Sequence, residues 1–279
     1  MCKVSVIMPC FNDGEYIKES IDSVLNQTYE EVELIIINDG STDVLTNNIL
    51  NNLSHPKIRV FKTSNIGPSA ARNFGISKST GKYILPVDAD DLIHSFYIEE
   101  CVKQLNSNDN VGIVYCYAEL FGEQAGRWDL PEYSFEKMLL DNIIFVTSMF
   151  RKKDWEIIGG FNENLVHGME DYDFWLSILE LEREVVQLKE VYFYYRIKKI
   201  SRTTKFSDDS KIVKDTYKTL YLNHSAFYQK YSNEYAIALR DALIEQIYIN
   251  KKLADLGPIL NKVKRMGKVK RLIKKILIR

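Results

Sequence analysis

An apolar run that ends in carboxylates is the feature that most constrains this chain. Residues 83–87 read Tyr-Ile-Leu-Pro-Val, and Asp88, Asp90 and Asp91, here called the acidic run, follow them. A short continuous apolar run predicts a buried strand. Carboxylates this close raise one another's pKa unless a cation neutralises them, and Mg2+ or Mn2+ prefer oxygen ligands. The run therefore predicts a metal site able to bind a diphosphate, or else a capped helix that begins near Leu92.

Two more apolar runs, at 4–9 and 33–37, also predict strands that lead into turn or polar residues. Phe11 follows the first run and Asp39 the second. Helical periodicity between the runs predicts a strand–helix–strand unit and hence an open parallel sheet. Ligands bind such sheets beyond the carboxyl ends of the strands. We therefore expect Phe11, Asp39 and the acidic run to meet at one edge.

Asp39 and Arg72 each have a structural and a functional interpretation. Asp39 could cap a helix over 42–53, since Asp is a good cap, or it could hydrogen-bond a nucleobase. Arg72 lies in a predicted helix that opens after Gly67 and Pro68 and points it toward the strand ends. Its guanidinium suits a phosphate or a base edge, and a surface ion pair is the alternative.

The second half of the chain contributes one more acidic pair. Glu170 and Asp171 follow Gly168 at the predicted start of a helix. Acids at a helix start commonly only complement its dipole, which is a sufficient explanation for Asp173. Glu170 and Asp171 could also face a cleft, where one of them would act as a general base. Runs at 143–150, 185–188 and 191–197 predict further strands. Residues 119–142 lack clear periodicity, and we expect them to form an excursion over the site.

Bulk properties exclude some function classes. The net charge is -1, from 37 basic and 38 acidic residues, so nothing in it points to nucleic acid. The four cysteines show no CxxC spacing, which favours reduced thiols in a cytosol. There is no signal-peptide core and no run of about eighteen apolar residues. We expect a cytoplasmic protein that does not span a membrane.

The order of these motifs resembles that of the family-2 glycosyltransferases, which are inverting, nucleotide-sugar-dependent enzymes of the GT-A fold. The resemblance covers residues 3–203 and is carried by the segments 9–12, 37–43, 65–67, 71–76, 81–91 and 168–171. It implies an α/β fold of the GT-A type, in which helices flank a mixed, mostly parallel central sheet.

The resemblance also implies a domain organisation. Residues 1–205 would form the catalytic domain, with a nucleotide-binding half at 1–118 and an acceptor half at 119–205. A helical C-terminal segment, 206–279, would follow.

The resemblance implies roles for individual residues. Asp39 and Arg72 would contact the base, Asp88 would lie at the ribose and the metal, and Asp90 would ligate the metal. Asp171 would be the catalytic base. The expected donor-binding residues are Pro9, Phe11, Asp39, Asn65, Arg72, Asp88 and Ala89. Many relatives add a histidine ligand, but none lies between Asp171 and residue 201, so the expected metal ligands are Asp88 and Asp90.

The implied reaction is transfer of a sugar from a nucleotide-diphosphate sugar, expected to be a UDP-sugar, to an acceptor hydroxyl. Mg2+ or Mn2+ would be the cofactor, and a glycan or a lipid-linked molecule of surface polysaccharide or glycoconjugate assembly the acceptor. Residues 124–128 spell the Gln-x-x-Arg-Trp signature of processive members, but they precede the acid pair, so we interpret the match as chance.

Two alternatives belong to other classes. A non-catalytic nucleotide-sugar-binding scaffold would require loss of the metal or base carboxylates, and both are present. A phosphotransferase that uses the turn at Asp39 and Gly40 would need a nucleophile two residues before that aspartate, where the chain has Ile37.

The C-terminal tail, residues 262–279, is rich in Lys and Arg and contains no acid. On a helix its cations lie mostly opposite one apolar face. That face consists of Val263, Met266, Val269, Leu272, Ile273 and Ile276. The pattern is typical of a helix in an anionic membrane interface, which would place the enzyme peripherally at the inner face of the membrane. Packing on its own domain, or a homodimer through the C-terminal helices, is the alternative.

The tail generates the first testable prediction. Full-length protein should sediment with anionic liposomes, and a version that ends at Asn261 should not, because each basic residue near such a surface contributes about 1 kcal/mol. Neutral liposomes and high salt should release the full-length protein. Equal sedimentation of the two versions would instead show that the tail is a structural helix.

Overall fold

A mixed sheet forms the core of the chain between Val4 and Ile197. The computed structural model describes residues 2–199, 206 and 209–264, with side chains up to Leu253, and nine strands of this part form one sheet. The strands are β1 (Val4–Cys10), β2 (Val32–Asp39), β3 (Ile58–Thr63), β4 (Tyr83–Pro86), β5 (Leu92–Ile93), β6 (Val111–Gly122), β7 (Gly126–Arg127), β8 (Met149–Arg151) and β9 (Glu184–Ile197). Their order is β3-β2-β1-β4-β8-β6-β9-β5, and β7 pairs with β6.

The strand directions bring several carboxyl ends to one edge. Strands β3, β2, β1 and β4 are mutually parallel, and Val4 of β1 lies opposite Val32 and Tyr83 of its two neighbours. Strand β8 is antiparallel to both β4 and β6, while β6 and β9 are parallel. Strands β1, β2, β4, β6 and β9 therefore all point the same way, and their last residues share an edge.

Helices alternate with the strands along the chain and continue after β9. They are α1 (Ile17–Leu25), α2 (Val44–Asn51), α3 (Pro68–Lys78), α4 (Tyr97–Ser107), α5 (Phe135–Met138), α6 (Lys152–Ile158), α7 (Glu170–Glu180), α8 (Ser210–Asn223), α9 (Ser225–Lys230) and α10 (Ser232–Lys264). Every residue of β2 is buried, as a strand covered on both faces requires. This confirms the interpretation of the continuous apolar runs as interior strands.

Both helix-cap alternatives for the acidic residues are wrong. Asp90 and Asp91 precede the short strand β5, and α4 begins only after it. Asp39 is the last residue of β2, and the cap of α2 is Asp43, whose carboxylate accepts a 2.7 Å hydrogen bond from the N–H of Thr46. Helix capping therefore does not explain why carboxylates stand at Asp39 and in the acidic run.

The second half differs from its predicted elements. The strand predicted over 143–150 is reduced to β8, because the preceding residues form no ladder. The predicted excursion at 119–142 begins later than expected, since β6 continues to Gly122 and turns back through β7. The two strands predicted at 185–188 and 191–197 form the single strand β9, whose pairing with β6 contains register shifts.

Compact packing of the first unit continues to Gln229, beyond the predicted boundary at 205 and 206, and a second unit begins at Lys230. The functional division of the chain stays a prediction. Residues 265–279 of the predicted basic tail lie outside the described residues. In the part that the structure describes, no helix combines the length and apolarity that crossing a bilayer requires.

The contact between α3 and the sheet generates a stability prediction at Gly75. A Cβ there would lie 2.5 Å from Ile37 Cδ1 and 2.7 Å from Ile7 Cγ2, so the backbone of α3 rests directly on β1 and β2. Alanine normally stabilises a helix relative to glycine by about 1 kcal/mol. At this position overpacking should reverse the sign, and Gly75→Ala should destabilise the fold by about 1–3 kcal/mol.

Urea denaturation would measure the effect. Ser77→Ala, on the exposed side of the same helix, is the matched control and should change stability by less than about 0.5 kcal/mol. A Gly75→Ala variant more stable than the wild type would show that α3 does not rest on the sheet as described.

Candidate active site

The loops after β1 and β2 are joined by Asn12. Its side-chain Oδ1 accepts hydrogen bonds from the N–H groups of Thr42 (2.8 Å) and Asp43 (3.1 Å), and its own N–H donates to Ser41 Oγ at 3.0 Å. Asn12 has a φ of 61°, which asparagine tolerates better than most residues. The two strand ends predicted to meet therefore do so as one connected rim.

Asp39 organises the neighbouring loop. Its carboxylate is buried and accepts hydrogen bonds from Thr63 Oγ1 (2.7 Å) and from the N–H groups of Ile66 (2.7 Å) and Gly67 (2.9 Å). These bonds fix the turn that carries Asn65 and leads into α3. The structure thus gives Asp39 a loop-ordering role.

The other expected donor-binding residues lie along the same edge with differing exposure. Phe11 is 43% exposed just beyond β1, whereas Ala89 is buried and its carbonyl accepts a 2.9 Å hydrogen bond from Ser20 Oγ. Pro9 is the residue of β1 opposite Ile37 of β2. Among Pro9, Phe11 and Ala89, Phe11 is the exposed residue and offers its ring to an incoming ligand.

Arg72 is a buried link between three parts of the chain. One end of its guanidinium donates to Asp88 Oδ1 at 2.8 Å and the other to Glu170 Oε1 at 2.9 Å, while the ring centre of Phe161 lies 5.8 Å away. Burial by itself would lower the pKa of Arg72, but Asp88 and Glu170 outweigh it and raise the pKa. With Arg72 only 3% exposed, the surface ion-pair alternative is wrong.

The members of the acidic run have different environments. Asp88 is one-third exposed, whereas Asp91 is buried and accepts a 2.8 Å hydrogen bond from the N–H of Arg196. Asp90 Oδ2 lies 2.5 Å from Lys198 Nζ. Burial raises the pKa of Asp90 against the opposing ammonium of Lys198, and burial together with Asp90 and Asp88 raises the pKa of Asp91 well above its ordinary value. Because these carboxylates are buried and repel one another, the acidic run favours the binding of cations.

The end of β9 completes the site, and the sequence did not reveal this. Arg196 donates from Nε to the carbonyl of Asp90 at 2.7 Å and from its terminal NH2 to Glu19 at 2.7 Å. Its guanidinium lies 4.6 Å from the ring centre of Tyr16 and 4.3 Å from that of Phe121. This clamp ties the last sheet strand to the backbone of the acidic run.

Lys198 is the second functional candidate that sequence reasoning missed. Its ammonium contacts Asp90 and also lies 3.2 Å from Asp13 Oδ1. The position of Lys198 directly after the last predicted strand could have indicated its role. If that strand is parallel to the others, its end reaches the same edge as the acidic run.

Asp171 differs sharply from its neighbour Glu170. Met169, with a φ of 66°, turns the chain into α7, so that Glu170 binds Arg72, while Asp171 pairs with no arginine of the part that the structure describes. Burial and the charge of Glu170 raise the pKa of Asp171 to about 6, although Arg72 opposes the shift. A carboxylate with a pKa near neutral suits a general base. The geometry favours Asp171 over Glu170.

Asp173 does more than complement the dipole of α7. It is buried, accepts a 2.9 Å hydrogen bond from Asn223 Nδ2, and lies 3.4 Å from His224 Nε2. The other ring nitrogen of His224 lies 2.8 Å from Glu180. Asp173 therefore attaches the end of α8 to α7, which the dipole interpretation did not include.

Comparison with known proteins identifies the family. The sequence model described as Glycosyl transferase family 2 matches residues 5–176. The chain belongs to glycosyltransferase family 2. This confirms the family inferred from the order of motifs.

Two curated relatives show how much of the chain is shared. A glycosyltransferase of Haemophilus influenzae is 33% identical over 208 residues, which are 71% of this chain and 80% of the relative. The chondroitin synthase of Pasteurella multocida is 33% identical over 184 residues, 64% of this chain. The match spans only 19% of that synthase, so the chain corresponds to about a fifth of it.

A solved structure supports the fold. The crystal structure of S. aureus TarS 1-349 in complex with UDP-GlcNAc superimposes with a TM-score of 0.62 at 19% identity. The superposition covers 72% of this chain and 60% of that one. The predicted fold class, a GT-A type α/β fold with a helical C-terminal segment, is confirmed.

The acidic run of this family-2 member fits a divalent ion. Asp88 Oδ2 and Asp90 Oδ1 have no hydrogen-bond partner within the described residues, and both are hard oxygen donors. Among those same residues no group of three or more His, Cys, Asp or Glu side chains could hold an ion by itself. Mg2+ is commonly bound by one or two carboxylates, completed by water and substrate phosphates. Two aspartates at an open edge match that mode.

The buried link through Arg72 generates a prediction about stability. Arg72→Met would remove a buried guanidinium that pairs with both Asp88 and Glu170, so the free energy of unfolding should fall by about 3 kcal/mol. Lys62→Met is the matched control, because Lys62 is exposed and makes no ion pair in the described part of the chain. Urea denaturation of both variants would test this. An Arg72→Met variant as stable as Lys62→Met would mean that the link is not part of the folded core.

Proposed function

We propose that this chain transfers a sugar from a UDP-sugar to an acceptor hydroxyl by single displacement, with inversion at the sugar. The observation that carries the proposal is the double contact of Arg72, which connects Asp88 of the acidic run to Glu170, the neighbour of Asp171. A donor-binding edge and a candidate base thereby belong to one buried arrangement. The names of the relatives, which include a chondroitin and a hyaluronan synthase, support sugar transfer in polysaccharide assembly.

Asp171 would remove the proton from the acceptor hydroxyl. With a pKa of about 6 it is mostly ionised at neutral pH and still basic enough to accept a proton. Glu170 would stay with Arg72 and raise the basicity of Asp171 through its charge. The acceptor would approach from the side of residues 115–128 and 149–169.

The donor would lie across the strand ends. The turn ordered by Asp39, with Asn65, would hold the base together with Pro9, Phe11 and Arg72, and Asp88 and Ala89 would face the ribose. Arg72 enters this site mainly through Asp88, whose carboxylate it holds in place. The TarS structure with UDP-GlcNAc supports a uridine nucleotide as the donor class.

Asp88 and Asp90 would hold Mg2+ or Mn2+, which would supply positive charge to the departing diphosphate. The carboxylates would fix the ion at the edge, and Arg196 would keep the backbone of Asp90 in place. We further propose that the acceptor is a glycan or a lipid-linked molecule. The protein would act in the cytoplasm at a membrane surface, and two copies would pair through their C-terminal helices.

A donor panel with a readout of free nucleotide tests the proposal. We expect slow hydrolysis of one UDP-sugar that is lost on adding EDTA and restored by Mn2+. Asp90→Asn removes charge but not volume, so it should lower turnover at least 100-fold while the protein stays folded. Glu31→Gln, an exposed acid just before β2 and outside the proposed site, is the control. Turnover that is indifferent to both EDTA and Asp90→Asn would argue against the metal-binding role of the acidic run.

A further prediction concerns the pH dependence of transfer. Because Asp171 acts in its ionised form, kcat/KM should fall about tenfold per pH unit below pH 6. Asp171→Asn should bind UDP normally and fail to transfer. If Glu170→Gln abolishes transfer and Asp171→Asn stays active, the base is Glu170.

The same titration has a consequence for stability. A folded-state pKa above the ordinary 3.8 means that folding favours the protonated acid, so stability falls as the pH rises from about 4 to about 6. Asp171→Asn should therefore stabilise the protein at pH 7.5, by on the order of 1 kcal/mol. Thermal unfolding at pH 7.5 measures this gain, and a lower melting temperature would contradict it.

A further inference from the structure

Lys198 contacts Asp90, one of the two proposed ligands of the divalent ion. Its ammonium is 2.5 Å from Asp90 Oδ2 and 3.2 Å from Asp13 Oδ1, and its side chain is 28% exposed. Asp13 follows β1 and Asp90 follows β4, so one lysine connects the ends of two sheet strands. The position is built into the fold, because the clamp of Arg196 holds the preceding residues of β9 against the acidic run.

The contact between Lys198 and Asp90 opposes the binding of a divalent ion to the same carboxylate. Two cations that share one aspartate repel each other, and Asp88 offers the ion only one oxygen, since Arg72 uses the other. Lys198 can exchange these contacts more easily than Arg196 can, because a lysine has a flexible stem and a compact ammonium. Binding of the ion would therefore favour movement of Lys198 away from Asp90.

We propose that Lys198 is a diphosphate-binding residue that neutralises Asp90 while the donor site is empty and moves to the diphosphate when the donor and its ion bind. The inference rests on the proposed function, in which Asp90 holds that ion. On the diphosphate, the ammonium would stand beside the oxygens on which negative charge develops as the sugar leaves. Asp13 keeps the amine close to the edge in both positions.

A purely structural role predicts something different. If Lys198 only fastened β9 to the loops after β1 and β4, its removal would loosen the acidic run and weaken the binding of both ion and nucleotide. The proposed exchange predicts that removal of Lys198 strengthens ion binding and weakens nucleotide binding. The reason is that Lys198 competes with the ion for Asp90 but binds the diphosphate.

The test compares Lys198→Met with two other variants. Lys198→Arg keeps the charge, and Lys199→Met removes the adjacent lysine, whose ammonium lies 3.9 Å from Glu123 instead of the acidic run. Electron paramagnetic resonance measures Mn2+ binding without nucleotide, and calorimetry measures binding of UDP and of uridine in saturating Mn2+. Lys198→Gln replaces the methionine variant if the latter does not fold.

We expect Lys198→Met to bind Mn2+ about tenfold more tightly and UDP about tenfold more weakly than the wild type, with uridine unchanged. Lys199→Met should match the wild type in all three, and Lys198→Arg should retain most UDP affinity. Unchanged or weaker Mn2+ binding, or unchanged UDP binding, in Lys198→Met would overturn the inference. A wild type that binds Mn2+ but no UDP would instead refute the uridine-diphosphate donor of the proposed function.

Discussion

The contact on which the site depends is the buried guanidinium of Arg72 between Asp88 and Glu170. Removing charges from water is costly, and the arrangement is stable only because each carboxylate receives a charge-assisted hydrogen bond of below 3 Å. The three residues come from α3, from the loop after β4 and from the start of α7. Their pairing forms on folding and fixes the proposed donor edge relative to Asp171, the proposed base.

The same arrangement explains the unusual state of Asp171. Because Glu170 takes the arginine, Asp171 is left with the charge of its neighbour and with burial, and both raise its pKa to about 6. The proposed base thus has a pKa closer to neutral, and raising that pKa costs some folding stability. Burial likewise raises the pKa of Asp90 in the acidic run, and Lys198 neutralises this carboxylate. A divalent ion would replace Lys198 there in the proposed exchange.

The sequence predicted those features that depend on local pattern. The buried strands β1, β2 and β4 could be read from continuous apolar runs, and the meeting of Asp39 with the acidic run followed from the parallel order. What could not be read depends on long-range register. Arg196 and Lys198 reach the site only because β9 pairs with β6 in parallel and ends at the same edge, and a single sequence does not specify that pairing. The helix-cap interpretations were wrong for two reasons. The acidic run is followed by β5 instead of a helix, and α2 is capped by Asp43 instead of Asp39.

A crystal structure of the wild-type chain with UDP and Mn2+ tests the central claim most directly. We predict the diphosphate and the ion at Asp88 and Asp90, uracil beside the turn ordered by Asp39, and Arg72 still bridging Asp88 and Glu170. A nucleotide bound away from this edge, or a complex in which Arg72 leaves both carboxylates, would contradict the claim that this pairing fixes the proposed donor edge relative to the proposed base.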